Sequence, residues 1–180
     1  MRAERRKRSD EFAEFVRARS TALHRAAYLM VGEVSLAQDL VQEALVKTYA
    51  AWGRLRDTGN AEAYCRKAIT TTAISWFRRK SWTQEQPTAA LPEAQHTSHG
   101  DEVTQSQWLW EALQRLPVRQ RAAIVLRYYE DLTEAQTADA MGCAVGTVKS
   151  QVSAGIGKLR DLLGDDDPEL LPLTDLVVKR

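Results

Sequence analysis

The chain has 180 residues, of which 44% are hydrophobic and 27% charged, and its 25 Lys+Arg against 24 Asp+Glu leave a formal net charge of +1. This is ordinary for a globular protein of one domain or two small ones, and the total alone argues against a simple basic nucleic-acid binder. The distribution reverses that. Residues 1–82 hold 16 bases and 9 acids, 83–106 no base and four acids, 107–163 seven bases and six acids, and 164–180 two bases and five acids. Such alternation of basic and acidic blocks points to contact with a polyanion.

The first block reads as helical throughout. Phe12, Phe15, Val16, Leu23, Ala26, Ala27 and Met30 recur at three- and four-residue steps, with Asp10 as a start signal and Gly32 as a stop. Ser35 followed by Gln38 has the form of a capping box, opening a second helix with Leu40, Val41, Ala44, Leu45, Tyr49 and Trp52 inward. Asp39, Gln42, Glu43 and Lys47 line its outward face, which composition alone makes a solvated side. Residues 54–60 read as a loop, and a third helix is expected from about 61 to 79.

From 63 to 83 there is no acid, while Arg66, Lys67, Arg78, Arg79 and Lys80 supply five cations, interleaved at the end with Trp76, Phe77 and Trp82. Cations hold phosphates without regard to sequence, and aromatic faces stack on exposed bases. That mixture suits single-stranded or opening DNA better than an intact duplex. The plain alternative is a solvated helix end with one or two aromatics in a core.

Residues 83–106 carry two prolines, a glycine and no apolar periodicity, the composition of a flexible acidic linker. His96 and His99 fall there without a third ligand, so no metal site and no cofactor is expected.

The second block is again helical. Trp108, Leu109, Ala112, Leu113 and Leu116 form a stripe ending at Pro117, and residues 119–129 make the next helix. Thr133 and Gln136 form a second capping-box pattern, Ala138 sits mid-helix, Gly142 ends that helix, and Val145, Val148, Val152, Ile156 and Leu159 give the next one a dry stripe. Its other face holds Thr147, Lys149, Ser150, Gln151, Ser153 and Lys158, with no acid before Asp161. A small residue, a glycine turn and a polar, cationic second helix are what a helix-turn-helix needs to enter a major groove. An amphipathic pair with its polar face in water is the plain alternative. The fold class expected is all-α: two small helical domains, 1–82 and 107–163, joined by a linker at 83–106 and followed by a tail at 164–180.

Other classes fall away. The longest apolar runs, 26–31 and 122–126, fall short of the roughly 20 residues that span a bilayer, so no membrane insertion is expected. Cys65 and Cys143 lie in different blocks and suggest a reducing, cytoplasmic setting. No nucleophile–base pair or phosphate-binding glycine loop is present, so the chain is not expected to be an enzyme.

The stretches AQDLVQEALVKTYAAW (37–52), AYCRKAITTTAISWFRRK (63–80) and LPVRQRAAIVLRYYEDLTEAQTADAMGCAVGTVKSQVSAGIGKLRDLL (116–163) together resemble the extracytoplasmic-function sigma factors of bacterial RNA polymerase, most closely the actinobacterial type. The resemblance covers nearly all of 12–163 and implies sigma regions 2 and 4, without regions 1.1 or 3. It implies promoter-specific initiation by binding core polymerase, through the largest-subunit clamp helices and the flap of the second-largest subunit, and by reading −35 and −10 elements of promoter DNA. An anti-sigma factor is a further partner that it suggests. Asp39, Leu40, Gln42 and Glu43 match the core-docking motif. Asp57, Asn60, Arg66, Lys67, Thr71, Ser75, Trp76, Arg78, Arg79 and Lys80 would bind and help open the −10 strand. Thr133, Val145, Thr147, Lys149, Ser150, Gln151, Ser153 and Lys158 would read the −35 element. Thr71 stands where the family usually has Asn, and Ala154 where it often has Arg. The competing reading is a stand-alone helix-turn-helix regulator whose first block senses or dimerises.

Overall fold

The computed structural model describes residues 2–55, 57–83 and 104–163. Seven α-helices lie among them: α1 (Arg2–Val31), α2 (Val34–Ala51), α3 (Thr58–Thr83), α4 (Thr104–Gln114), α5 (Val118–Ile124), α6 (Glu134–Met141) and α7 (Val145–Leu163). A 3-10 turn, Trp52–Arg54, follows α2, and a π-helical segment, Val125–Tyr129, extends α5. No strand occurs among the described residues.

Local chemistry explains most of the boundaries, and corrects several expectations. α1 starts well before Asp10, because the residues preceding it are good helix formers with no competing turn signal. Its stop is as expected: Gly32 takes φ +77°, a left-handed conformation that L side chains avoid, and its N–H donates to Tyr28 O at 2.8 Å. The capping box expected at Ser35 does not form. Glu33 occupies the N-cap, and the Ser35 hydroxyl donates instead to the Glu33 carboxylate. α3 begins at Thr58, inside the expected loop, because Asp57 caps it: the Asn60 N–H donates to Asp57 Oδ1 at 2.7 Å. α4 starts at Thr104, within the stretch read as linker. α3 runs on to Thr83, the first residue of that stretch, while 84–103, with His96 and His99, and the tail at 164–180 lie outside the described residues.

Helices α1, α2 and α3 pack side by side, burying Phe15, Leu23, Met30, Val41, Ile69 and Ala73 between them. At one end Phe12 meets Tyr49 and Trp52 with ring centroids 4.9 and 5.1 Å apart. This leaves Tyr49 more exposed and Trp52 only half-buried, where the periodicity placed both inward. Helices α4 to α7 wrap a second set of apolar side chains, with Leu126, Val148, Ile156 and Leu159 fully buried. α5 and α7 cross closely at Gly155, where a Cβ would lie 2.6 Å from Ile124 Cδ1.

The two sets are packed against each other. Tyr28 of α1 stacks on Trp110 of α4 at 5.8 Å. Gln114 Nε2 donates to Leu29 O at 3.1 Å, and Arg121 lies over the Phe77 ring at 5.4 Å. Arg121 is almost fully buried, which pushes its guanidinium down to about 10, and its Nη1 donates to Gln114 O at 3.3 Å and to the Gln114 side-chain oxygen. The buried side chains form one continuous core through both blocks.

Candidate functional site

Three surfaces carry the expected residues. The first is the outward face of α2. Its inward positions Ala37, Leu40, Val41, Ala44, Leu45 and Thr48 are buried, so 3.6-residue periodicity turns Gln38, Asp39, Gln42, Glu43 and Val46 to solvent. Leu40 is thereby corrected: at 4% exposure it belongs to the core and holds the helix in place. Asp39, Gln42 and Glu43 form an open polar stripe. Glu43 Oε1 accepts from Lys47 Nζ at 2.6 Å, and Lys47 also reaches Thr72 Oγ1 at 3.4 Å, tying the stripe to α3. Sequence reasoning missed Val46, which is 68% exposed at the C-terminal end of the stripe. An isolated valine in a heptad-like pattern reads as core.

The second surface is α3 with the turn before it. Asp57 and Asn60 are both exposed but bound to each other, through the cap and through Asn60 Nδ2 to Asp57 Oδ2 at 3.2 Å. Beside them opens a groove of about 690 Å³ lined by Arg8, Glu11 and Arg19 of α1, by Trp52 and Leu55, and by Asp57. Arg8 is fixed across one rim: Nη2 donates to Tyr49 O at 3.1 Å and the guanidinium lies 5.5 Å from the Tyr49 ring centroid. Arg8 went unnoticed in the sequence because it lies outside the acid-free stretch that drew attention to α3, and Trp52 was read only as an inward position of α2.

Along α3 the expected residues separate into two groups. Arg66, Lys67 and Thr71 face the second block. Arg66 Nε donates to Glu130 Oε2 at 2.9 Å, its Nη2 to Glu62 Oε1 at 2.9 Å, and Lys67 Nζ to Asp139 Oδ1 at 2.7 Å. Thr71 donates its hydroxyl back to Lys67 O at 2.7 Å, and its methyl group lies near the Gly142 turn. Further along, Arg78 and Arg79 are exposed, Ser75 and Trp76 are half-buried, and Trp76 packs edge-on against Phe77 at 5.1 Å. The Lys80 side chain lies outside the described residues. Within the bundle, burial pushes the Cys65 thiol up despite a hydrogen bond with Thr48, which makes it an inert packing group.

The third surface is the helix-turn-helix, and here local signals were sufficient. Thr133 Oγ1 accepts from Gln136 N at 3.2 Å while Gln136 Oε1 accepts from Thr133 N at 2.9 Å, the full reciprocal capping box. Gly142 takes φ +62°, and Ala138 is buried beneath the crossing helix. On α7, Val148, Val152, Gly155, Ile156 and Leu159 are buried, while Lys149, Ser150, Ser153 and Lys158 are exposed and Thr147 and Gln151 half-buried. Val145 departs from the dry stripe: at the first turn it is 39% exposed. Ser150 donates to Thr147 O at 2.9 Å, and Lys149 lies 3.4 Å from Glu134. Thr133 is spent on its cap. The remaining polar side chains, Lys149 and Lys158 among them, form an exposed polar ridge along α7.

Comparison with known proteins agrees with this geometry. A family model described as sigma-70 region 2 matches residues 15–83, and one described as sigma-70, region 4 matches 106–159. An RNA polymerase sigma-E factor of Streptomyces avermitilis is 37% identical over 157 residues, covering 87% of each chain. The ECF RNA polymerase sigma factor SigM of Mycobacterium tuberculosis is 31% identical over 157 residues, covering 85% of this chain and 77% of that one. Among solved structures, the sigma factor RpoE of Bartonella quintana, crystallised with the anti-sigma factor NepR, superposes with a TM-score of 0.65 at 27% identity, covering 87% of this chain and 98% of its own.

Proposed function

The chain belongs to the extracytoplasmic-function sigma factors of the sigma-70 family, and from this premise we propose how its surfaces divide the work of promoter recognition. As an RNA polymerase sigma factor it binds core polymerase and promoter DNA and acts in transcription initiation. The finer assignment follows side-chain placement. The α2 stripe of Asp39, Gln42 and Glu43 docks on the polymerase clamp, where acidic groups in an exposed row suit a basic partner. α3, with Arg66, Lys67, Arg78 and Arg79, holds the −10 strand by its phosphates. The groove beside Asp57 and Asn60 receives an unstacked base, whose unpairing costs a few kcal/mol that fitted contacts offset. α7 lies in the major groove of the −35 element with Thr147, Lys149, Ser150 and Gln151 at base edges and Lys158 on phosphate.

The single observation that carries this division is the pairing, on one chain, of an exposed acidic α2 stripe with an exposed, acid-free α7 ridge. A stand-alone helix-turn-helix regulator has use for the second and none for the first. The chain supplies no catalysis of its own and works in the cytoplasm beside the polymerase. The solved relative in complex with an anti-sigma factor supports a protein of that kind as a further partner. Reconstitution tests the reading: the purified chain added to core polymerase should yield run-off transcripts from promoters sharing a −35/−10 pair. Tight binding to duplex DNA with no binding to core would overturn it in favour of the regulator.

A further inference from the structure

The polar ridge of α7 begins with an apolar tip. Ala144, Val145 and Gly146 precede Thr147, and all three are exposed. Ala144 is the N-cap: its carbonyl accepts from Thr147 N at 3.0 Å and from Val148 N at 3.2 Å. That register makes Cys143 and Val148 the two positions that staple a chain into the start of a helix. Both turn to the core, with Cys143 packed against it and Val148 1% exposed. Val145 is therefore not needed to hold the turn, and its isopropyl group stands 39% exposed. At Gly146 beside it a Cβ would meet nothing within 4 Å among the described residues, so the space around this turn is open. Lys149, one turn further on, shares the face of Val145 and lies 3.4 Å from Glu134.

We propose that Val145 is a specificity-determining contact to the −35 element, and that it reads the C5-methyl group of a thymine. The proposal rests on the assignment of α7 to that element. The first residues of a recognition helix are the ones that reach base edges in the major groove. Those edges present hydrogen-bond donors and acceptors, and the thymine methyl is the apolar group among them. Against an amino or carbonyl edge, the Val145 side chain would displace water and return no hydrogen bond. Against the methyl group, water leaves two apolar surfaces at once and no polar atom is left unpaired. Valine is β-branched and keeps essentially one rotamer in a helix, so little side-chain freedom is lost in the contact. Lys149 on the same face is a donor suited to the O6 and N7 acceptors of guanine. The element that fits this face carries a thymine, on either strand, beside the base pair that Lys149 contacts.

Deoxyuridine differs from thymidine by that methyl group alone, so exchanging them removes the contact without touching the protein. Holoenzyme reconstituted from core polymerase and the full-length chain is used to select binders from a promoter pool randomised across the −35 element. Each thymine of the selected element is then replaced singly by deoxyuridine, and holoenzyme affinity is measured by competition. One replacement should weaken binding roughly fourfold, what one buried methyl group is worth. The second arm uses Val145→Ala, a change to a better helix former whose helical content is checked by circular dichroism. This variant should bind the thymine duplex more weakly than the parent and no longer distinguish it from the deoxyuridine duplex. A selected element without thymine, deoxyuridine tolerated at every position, or equal discrimination by parent and variant would each overturn the proposal while leaving α7 as the −35 reader. Binding indifferent to the sequence of the randomised element would reject the assignment of α7 itself.

Discussion

The Arg66 guanidinium and the Glu130 carboxylate, 64 positions apart in the chain, meet at 2.9 Å with side chains only 13% and 10% exposed. Arg66 has a second carboxylate in Glu62, which Arg19 also approaches at 3.1 Å, whereas Glu130 pairs with Arg66. Removing either side therefore has unequal consequences. Arg66→Ala strands a nearly buried carboxylate and should cost about 3 kcal/mol, the low end for breaking a buried pair. Glu130→Ala leaves Arg66 paired with Glu62 and should cost about 1 kcal/mol. Urea denaturation of the two variants checks the order; equal losses would contradict it.

The α5–α7 crossing makes opposite demands on two glycines two residues apart. A methyl group at Gly155 meets Ile124 Cδ1 at 2.6 Å, and Ile124 is itself buried, whereas at Gly157 nothing lies within 4 Å. Gly157→Ala should gain about 0.8 kcal/mol from helix propensity. Gly155→Ala should lose about 1 kcal/mol, since overpacking outweighs the same gain. Trimming the obstacle with Ile124→Val in the Gly155→Ala background should recover part of the loss. Thermal melts of the four proteins decide this.

The two thiols differ in environment. Cys65 is fully buried with its thiol pushed up by desolvation, and Cys143 is half-buried at the turn before α7. A group that holds its proton more tightly when folded makes the folded state lose stability as pH rises through the ordinary thiol value of 9.0 and on towards the raised one. At pH 8 a disulfide reagent should titrate Cys143 in the native protein and Cys65 only after denaturant is added. Fast reaction of both in the native protein would contradict the burial.

On α2, Asp39 and Glu43 are exposed and Leu40 is core, so charge can be reversed without disturbing packing. D39K/E43K should weaken binding to core polymerase by about 100-fold, through several kcal/mol of like-charge repulsion against a basic partner. The variant should keep its helical signal and its melting temperature within a few degrees. Val46→Lys, at the end of the same stripe, should weaken the complex as well.

Much of this molecule was legible locally. The Thr133–Gln136 box, the Gly142 turn and the dry stripe of α7 are short-range patterns, and each forms where the spacing predicts. The Ser35–Gln38 pattern has the same spacing, yet Glu33 holds the N-cap, because a pattern cannot say which of two neighbouring residues takes the extended conformation. Leu40 was placed on the docking face by its motif and in the core by its periodicity, and the periodicity prevailed. What could not be read was long-range. Nothing in the periodicity of α3 or α6 shows that Arg66 and Lys67 meet Glu130 and Asp139, since ion pairs across 64 and 72 positions leave no repeating signal. The basic excess of the first block is thus partly balanced by acids of the second, which the segment charges alone concealed.

Strand opening on a promoter mapped by run-off transcription tests the central claim most directly. With core polymerase and this chain, permanganate should modify non-template thymines within the −10 element, and R78A/R79A should diminish that reactivity while binding of the −35 duplex persists. Unreactive thymines in the complete holoenzyme, or equal reactivity with core polymerase alone, would contradict it.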